Sequence, residues 1–168
     1  MDFSNLPTFY ADELINLDGT ALGKELTEKA PINKGQRAVI AVPYSVDKSV
    51  LTIELAKNLK NADAKTSVLL VGENPEEIDE IKRTLDVEVV ATRFDTDYEI
   101  QTSVAELLIE RAKRAVERGE DVVIIINSTT NLVKAYLGED AYGGNLFTTI
   151  VPALMKVKRI MSSAVKTS

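Results

Sequence analysis

PINKGQRAVIAVPYSVDKSVLTIELAKN, residues 31–58, is the stretch whose reading decides the fold. It opens on turn formers, Pro31, Asn33 and Gly35, and continues into a β-favouring apolar run at residues 38–42. After a short loop comes Lys48-Ser49, and then a pattern that puts Leu51, Leu55 and Leu59 on one helical face. Strand, loop, Lys-Ser and helix is the layout of a phosphate-binding loop. In such loops glycines let backbone N–H groups and a helix N-terminus surround a phosphate. Here the loop reads Val42-Pro43-Tyr44-Ser45-Val46-Asp47-Lys48-Ser49. The lysine and serine are in place and the glycines are not. The frame of a nucleotide site survives with its key chemistry damaged.

Three further strand–helix patterns follow. Residues 67–71 read as a buried strand, Gly72-Glu73-Asn74-Pro75 as a turn, and Pro75 as the first turn of a helix to about residue 83. A third strand is predicted at residues 86–91, with a helix after it over residues 98–118 that stops at Gly119. Residues 122–126 are apolar at every position, as expected of a strand covered on both faces. Alternating elements of this kind predict a parallel, doubly wound sheet with right-handed crossovers, an α/β fold in three layers, α/β/α.

The ends differ from the middle. Over residues 1–28, Asp2, Asp12, Glu13, Asp18, Glu25 and Glu28 outweigh Lys24, so residues 1–30 read as an acidic surface extension of short turns with room for one short strand. Residues 31–168 form the domain proper. Residues 137–145 read as a loop carrying Gly138, Gly143 and Gly144, and residues 146–165 as a helix with Pro152 near its start. Lys156, Lys158, Arg159 and Lys166 make this the positive part of the chain. Two readings stand: a solvated helix face whose cations oppose the helix dipole, and contact with a polyanion such as RNA.

Composition narrows the functional classes. The chain has 168 residues, 45% hydrophobic and 27% charged, with a net charge of −6. That size suits one domain with a real core, and that charge argues against a strongly basic nucleic-acid binder. With no Cys and no His, thiol chemistry, imidazole acid–base work and Cys/His zinc sites are excluded. No apolar run approaches ~18–20 residues, and Met1-Asp2-Phe3 begins no signal-peptide pattern. The expectation is a cytoplasmic protein with no membrane partner.

Several segments together resemble the ATPase core of the Rho family of bacterial transcription termination factors. PINKGQRAVIAVP is similar to the family's PIGKGQRxLIVAPPKAGKT, and Glu73-Asn74-Pro75-Glu76-Glu77 to DERPEEV. Glu88-Val89-Val90-Ala91 with Phe94-Asp95 resembles EVVASTFD, and residues 104–114 resemble VAEMVIEKAKR. Residues 121–128 resemble DVVILLDS, residues 132–136 LARAY, and Gly143-Gly144 with residues 153–159 GGVDANALHRPKRFF. The likeness is colinear from about residue 28 to residue 165. It implies a RecA-like P-loop NTPase core with a shortened, mainly parallel sheet.

The departures from that pattern bear on activity. The family's glycine before the lysine corresponds to Asp47, whose carboxylate would face a β-phosphate and repel it; Asp also lacks glycine's backbone freedom. An additional loop lysine corresponds to Ser45, and the magnesium-holding aspartate to Asn127, an amide that cannot balance Mg²⁺ charge. The resemblance makes Ser45, Asp47, Lys48, Ser49 and Asn127 a vestigial nucleotide site, with Ser49 and Asn127 as its magnesium positions. Glu73 is the candidate catalytic carboxylate, preceded by Gly72 instead of Asp. Gly143, Gly144, Lys156, Lys158 and Arg159 are the candidate RNA contacts. Glu73 equally suits a helix N-terminus, Gly143-Gly144 a plain turn, and residues 127–130 either a ligand site at a strand end or a helix cap.

The family continues with another core strand, an adenine-contacting segment and an arginine finger, which this alignment does not reach. That strand separates the phosphate-loop strand from the fourth strand, so residues 38–42 and 122–126 are expected to pair directly in a sheet of about four strands. The losses together point away from ATP hydrolysis. The leading expectation is a non-catalytic interaction or assembly protein, a homo-oligomer or a partner of a Rho-type ring, with no cofactor. The alternatives are a weak Mg-ATP-binding, RNA-associated termination factor and a structural subunit recruited from the same fold.

Overall fold

Residues 66–71, Thr-Ser-Val-Leu-Leu-Val, are buried at every position and form the middle of the sheet. The computed structural model describes residues 13–40, 45–60 and 64–138. Within these, the helices are α1 (Ala21–Lys29), α2 (Lys48–Lys60), α3 (Pro75–Thr84), α4 (Tyr98–Glu117) and α5 (Thr129–Leu137). The strands are β1 (Lys65–Glu73), β2 (Glu88–Arg93) and β3 (Val122–Asn127). Their order is β2-β1-β3, and both pairings are parallel. Ser67 lies opposite Glu88 on one side, and Lys65 through Leu70 lie opposite Val122 through Asn127 on the other.

The two-residue alternation of β1 builds the layers. Leu69 and Val71 pack with Ala105 and Leu108 of α4 and Leu132 and Val133 of α5. Val68 and Leu70 point the other way, onto Ala56 of α2 and Ile78 and Ile81 of α3. The predicted α/β/α arrangement is what forms. Local signals delimit the helices as well. Pro75 starts α3, with Glu76 and Glu77 in its first turn and Lys82 and Arg83 in its last. Gly119, at φ 83°, accommodates the turn after α4.

Two expectations are corrected. Residues 38–40 belong to no strand and are exposed, Val39 by 76%; residues 41 and 42 lie outside the described residues. The expected direct pairing with residues 122–126 therefore does not occur among the described residues, and the sheet there has three strands. The run is β-favouring, but a strand exists only through a ladder, and β3 stands apart from residues 38–40 across a cleft. β3, expected to be covered on both faces, is half-buried from Val122 to Ile126 among the described residues. The expected loop at residues 137–145 and helix at residues 146–165 fall almost wholly outside the described residues.

Residues 13–30 contain a helix where turns were predicted. Thr20 caps α1, its Oγ1 accepting from Gly23 N at 3.1 Å. The same oxygen accepts from Asn58 Nδ2 of α2 at 2.7 Å, which latches the two helices together. Ile15 and Leu17 join Leu59 in a third apolar cluster against Val123 and Ile125. Lys34 Nζ lies 2.8 Å from carboxylate oxygens of both Glu13 and Asp121, tying this segment to the start of β3.

Gly23 is where α1 approaches closest. A methyl there would run into the Leu17 carbonyl oxygen and meet Asn58 Nδ2 at 3.0 Å. Helix propensity alone would make Gly23→Ala stabilising by ~0.5–1 kcal/mol. The contact reverses the sign, and a loss of ~1–3 kcal/mol is expected. Urea unfolding checks this, and a gain in stability would refute the close approach.

Candidate functional site

The first turn of α2 and the C-terminal ends of β1 and β3 define one end of the sheet, where open α/β folds hold their ligands. Asp47 directly precedes α2. Its Oδ1 accepts from Ser49 N at 2.8 Å and from Val50 N at 3.3 Å, while its carbonyl accepts from Leu51 N at 3.1 Å. A carboxylate at this position satisfies helix-terminal donors and suits the positive end of the helix dipole. These are also the N–H groups that a phosphate at this helix would use. The chain's own anion occupies them.

Ser49 is buried, and its hydroxyl donates to Glu77 Oε2 of α3 at 3.2 Å. Beside this pair stands Glu73, the last residue of β1, only 7% exposed and with Oε1 lacking a hydrogen-bond partner among the described residues. Burial, and then the neighbouring Glu77 carboxylate, push the Glu73 carboxyl up to about 7, against the pull of the Lys48 ammonium. Glu73 is thus a protonated or half-protonated acid near neutral pH.

Around it the end of β1 is held by side chains that the sequence did not single out. Asn131 Nδ2 of α5 donates to the Val71 carbonyl at 2.8 Å and the Gly72 carbonyl at 3.3 Å. Gly72 N donates to Thr92 Oγ1 at 3.2 Å. Gly72 has φ 62°, and a Cβ there would meet Gln101 Oε1 at 3.3 Å, which accounts for glycine at this position. Glu77 lies within a segment that the family resemblance covers but takes no role from it, and Asn131 carries no motif signal; the packing of α3 and α5 on β1 reveals both.

The fold brings Asp47, Lys48, Ser49 and Glu73 to one corner. Asn127 is buried at the end of β3, and Ser45 is exposed ahead of α2. Ser128 caps α5, its Oγ accepting from Asn131 N at 3.2 Å. Gly143, Gly144, Lys156, Lys158 and Arg159 lie outside the described residues. Among the described residues, no group of three or more His, Cys, Asp or Glu side chains could hold a metal ion. None of the described helices is long and apolar enough to cross a membrane. A cleft of about 730 Å³ runs from Lys48 and Asn127 along the outer edge of β3, with residues 32–40 as its far wall.

No family model matches the chain. It is 37% identical over 172 residues to transcription termination factor Rho of Pseudomonas aeruginosa, a match covering 96% of this chain and 41% of that protein. To the Rho factor of Mycobacterium leprae it is 36% identical over 172 residues, covering 97% of this chain and 28% of that one. The chain is a relative of the Rho termination factors. It spans less than half the length of these Rho proteins. Among solved structures, an ATPase from the type III secretion system of pathogenic bacteria superposes with a TM-score of 0.76 at 18% identity, covering 98% of this chain and 49% of that one. The ATP synthase subunit NeqB from Nanoarcheaum equitans gives a TM-score of 0.58 at 17% identity, covering 77% of this chain and 32% of that one. Both likenesses concern the fold, which is that of RecA-like P-loop ATPases.

The Rho-like corner should reveal itself through pH. Glu73 keeps its proton to about pH 7 in the folded chain, whereas its ordinary value is 4.5. Between those limits the folded state holds more protons than the unfolded one. Stability therefore falls as pH rises through that window, by up to ~1.4 kcal/mol per pH unit, and levels off above it. Urea midpoints from pH 4.5 to 8 should show this decline, and Glu73→Gln should flatten it. An unchanged slope in that variant would assign the effect elsewhere.

Proposed function

We propose that this Rho-like domain does not hydrolyse ATP and acts as a non-catalytic interaction or assembly module, with itself or with a Rho-type ring. One observation carries the reading: the Asp47 carboxylate already accepts from the N–H groups of Ser49 and Val50 that a phosphate would need. An incoming phosphate has to displace a tethered anion and then sit beside it, with like-charge repulsion in a confined site. Ser49, which would reach magnesium, is hydrogen-bonded to Glu77, and Asn127 supplies no charge to that ion. Glu73, pushed up to about 7, keeps a value suited to acid–base work, so the obstacle at this corner is the holding of phosphate and magnesium. The residues at this corner fit Mg-ATP badly.

An assembly role is supported by apolar side chains that remain in solvent. Phe94, Ile100 and Leu107 are each more than half exposed on β2's trailing turn and α4, and an assembly contact formed there would bury them. A second reading, weak nucleotide binding in an RNA-associated termination factor, draws support from Lys48, which is exposed at the N-terminus of α2 and faces the cleft.

Calorimetric titration with Mg-ATP separates the two. The native chain should give no heat of binding, and the Asp47→Gly, Asn127→Asp double variant should bind. Micromolar binding by the native chain would overturn the proposal in favour of the nucleotide-binding reading. Sedimentation of the native chain, alone and with a Rho-type protein, should show assembly without nucleotide, and a monomer in both experiments would reject the assembly role.

A further inference from the structure

Residues 13–34 form a unit that closes on itself before it touches the rest of the domain. Leu14 and Asn33 pair as an antiparallel bridge. Ile15 N donates to the Ile32 carbonyl at 2.9 Å, and Lys34 N to the Glu13 carbonyl at 2.7 Å. These bonds join the two ends of the segment around α1, making a strap. Ile15, Leu17, Leu26 and Ile32 form its apolar face, which packs on Leu59 of α2 and on Val123 and Ile125 of β3. Two polar contacts fasten the rim. Thr20 Oγ1 accepts from Asn58 Nδ2 at 2.7 Å, and Lys34 Nζ lies 2.8 Å from Asp121 Oδ2. The seat under the strap thus matches one segment in shape, polarity and charge, and that segment is residues 13–34 themselves.

The connection from strap to body has a different character. Residues 35–40 are exposed and belong to no helix or strand, and α2 begins only at Lys48. Thirteen residues, 35–47, therefore join the strap to α2. Fully extended, a link of that length spans up to ~45 Å, against a radius of gyration of ~14 Å for a domain of this size. We propose that this chain self-associates by exchanging residues 13–34 between two copies, each strap lying in the other copy's seat. This exchange rests on the assembly reading above and supplies the surface through which copies join. Every contact between strap and body is remade between chains, so none is lost, and the cost is confined to the link and to the entropy of association. The resulting pair is closed and two-fold, with each chain both giving and receiving a strap. Opening requires the Thr20–Asn58 bond and the Lys34–Asp121 pair to break and the apolar face to be uncovered, so the two forms interconvert slowly.

The ion pairs of Lys34 allow a test on the full chain without any substitution. Carbodiimide coupling joins a lysine amine to a touching carboxylate as an amide, with loss of water. Lys34 touches Asp121 on the body and Glu13 within its own strap. Unlabelled and heavy-isotope chains are unfolded in urea, mixed equally, refolded at high concentration and coupled. In the dimer fraction, Lys34–Asp121 peptides should carry mixed labels in about half of the molecules, while Lys34–Glu13 peptides stay unmixed. A dimer whose Lys34–Asp121 peptides are unmixed would overturn the exchange and leave self-assembly to another surface. A chain that stays monomeric at every concentration would overturn the exchange together with self-association, leaving only assembly with a Rho-type protein. Asn58→Ala, which cuts the latch, should speed label exchange between preformed dimers by up to about tenfold. An unchanged rate in that variant would place the dimer contact away from the strap.

Discussion

The alternating burial of β1 is the constraint on which the rest of the domain depends. Val68 and Leu70 supply one face and Leu69 and Val71 the other, all fully buried. Each such side chain contributes ~1.5–3 kcal/mol, so α2 and α3 must cover one face and α4 and α5 the other. Parallel pairing on both edges of β1 then fixes β2 and β3 and brings all three C-terminal ends to the same side. That geometry places the first turn of α2, Glu73 and Asn127 at a common corner.

At that corner an anion-binding frame has been turned inward. Helix N-termini attract negative charge through aligned N–H groups, and in this chain the charge is covalently attached one residue ahead. A tethered carboxylate competes at a high effective concentration with any dissolved anion. Behind it Ser49 is hydrogen-bonded to Glu77, and Glu73 stands beside them, poised near its own titration. Likeness to Rho describes the scaffold, and the first turn of α2 describes what this particular scaffold can hold. The two need not agree, because function resides in the site and not in the fold.

The opposite side of β3 carries the complementary lesson. Its apolar composition matches a strand with neighbours on both sides, yet the structure pairs it only with β1 among the described residues. Residues 38–40 have strand-forming side chains and no strand. Hydrogen-bond ladders require a partner at ~4.8 Å, and composition cannot supply one. Val122 to Ile126 are accordingly half-buried among the described residues.

Apolar patterning along the chain was sufficient to read β1, β2, β3 and the helices α2, α3 and α4, from continuous apolar runs in the strands, 3.6-residue repeats in the helices and local punctuation such as Pro75 and Gly119. The departures at Asp47 and Asn127 were legible only as differences from the family pattern that the chain resembles. Helix α1 was missed because its acids concealed a segment anchored by Leu17, Gly23 and the Thr20–Asn58 latch, contacts between residues nearly forty positions apart. The Glu73–Glu77–Ser49 group and the grip of Asn131 on the end of β1 were invisible for the same reason. Residue type and spacing determine which elements form and which way their side chains face. Only the packing of one element on another decides which polar groups meet and which carboxylate is desolvated.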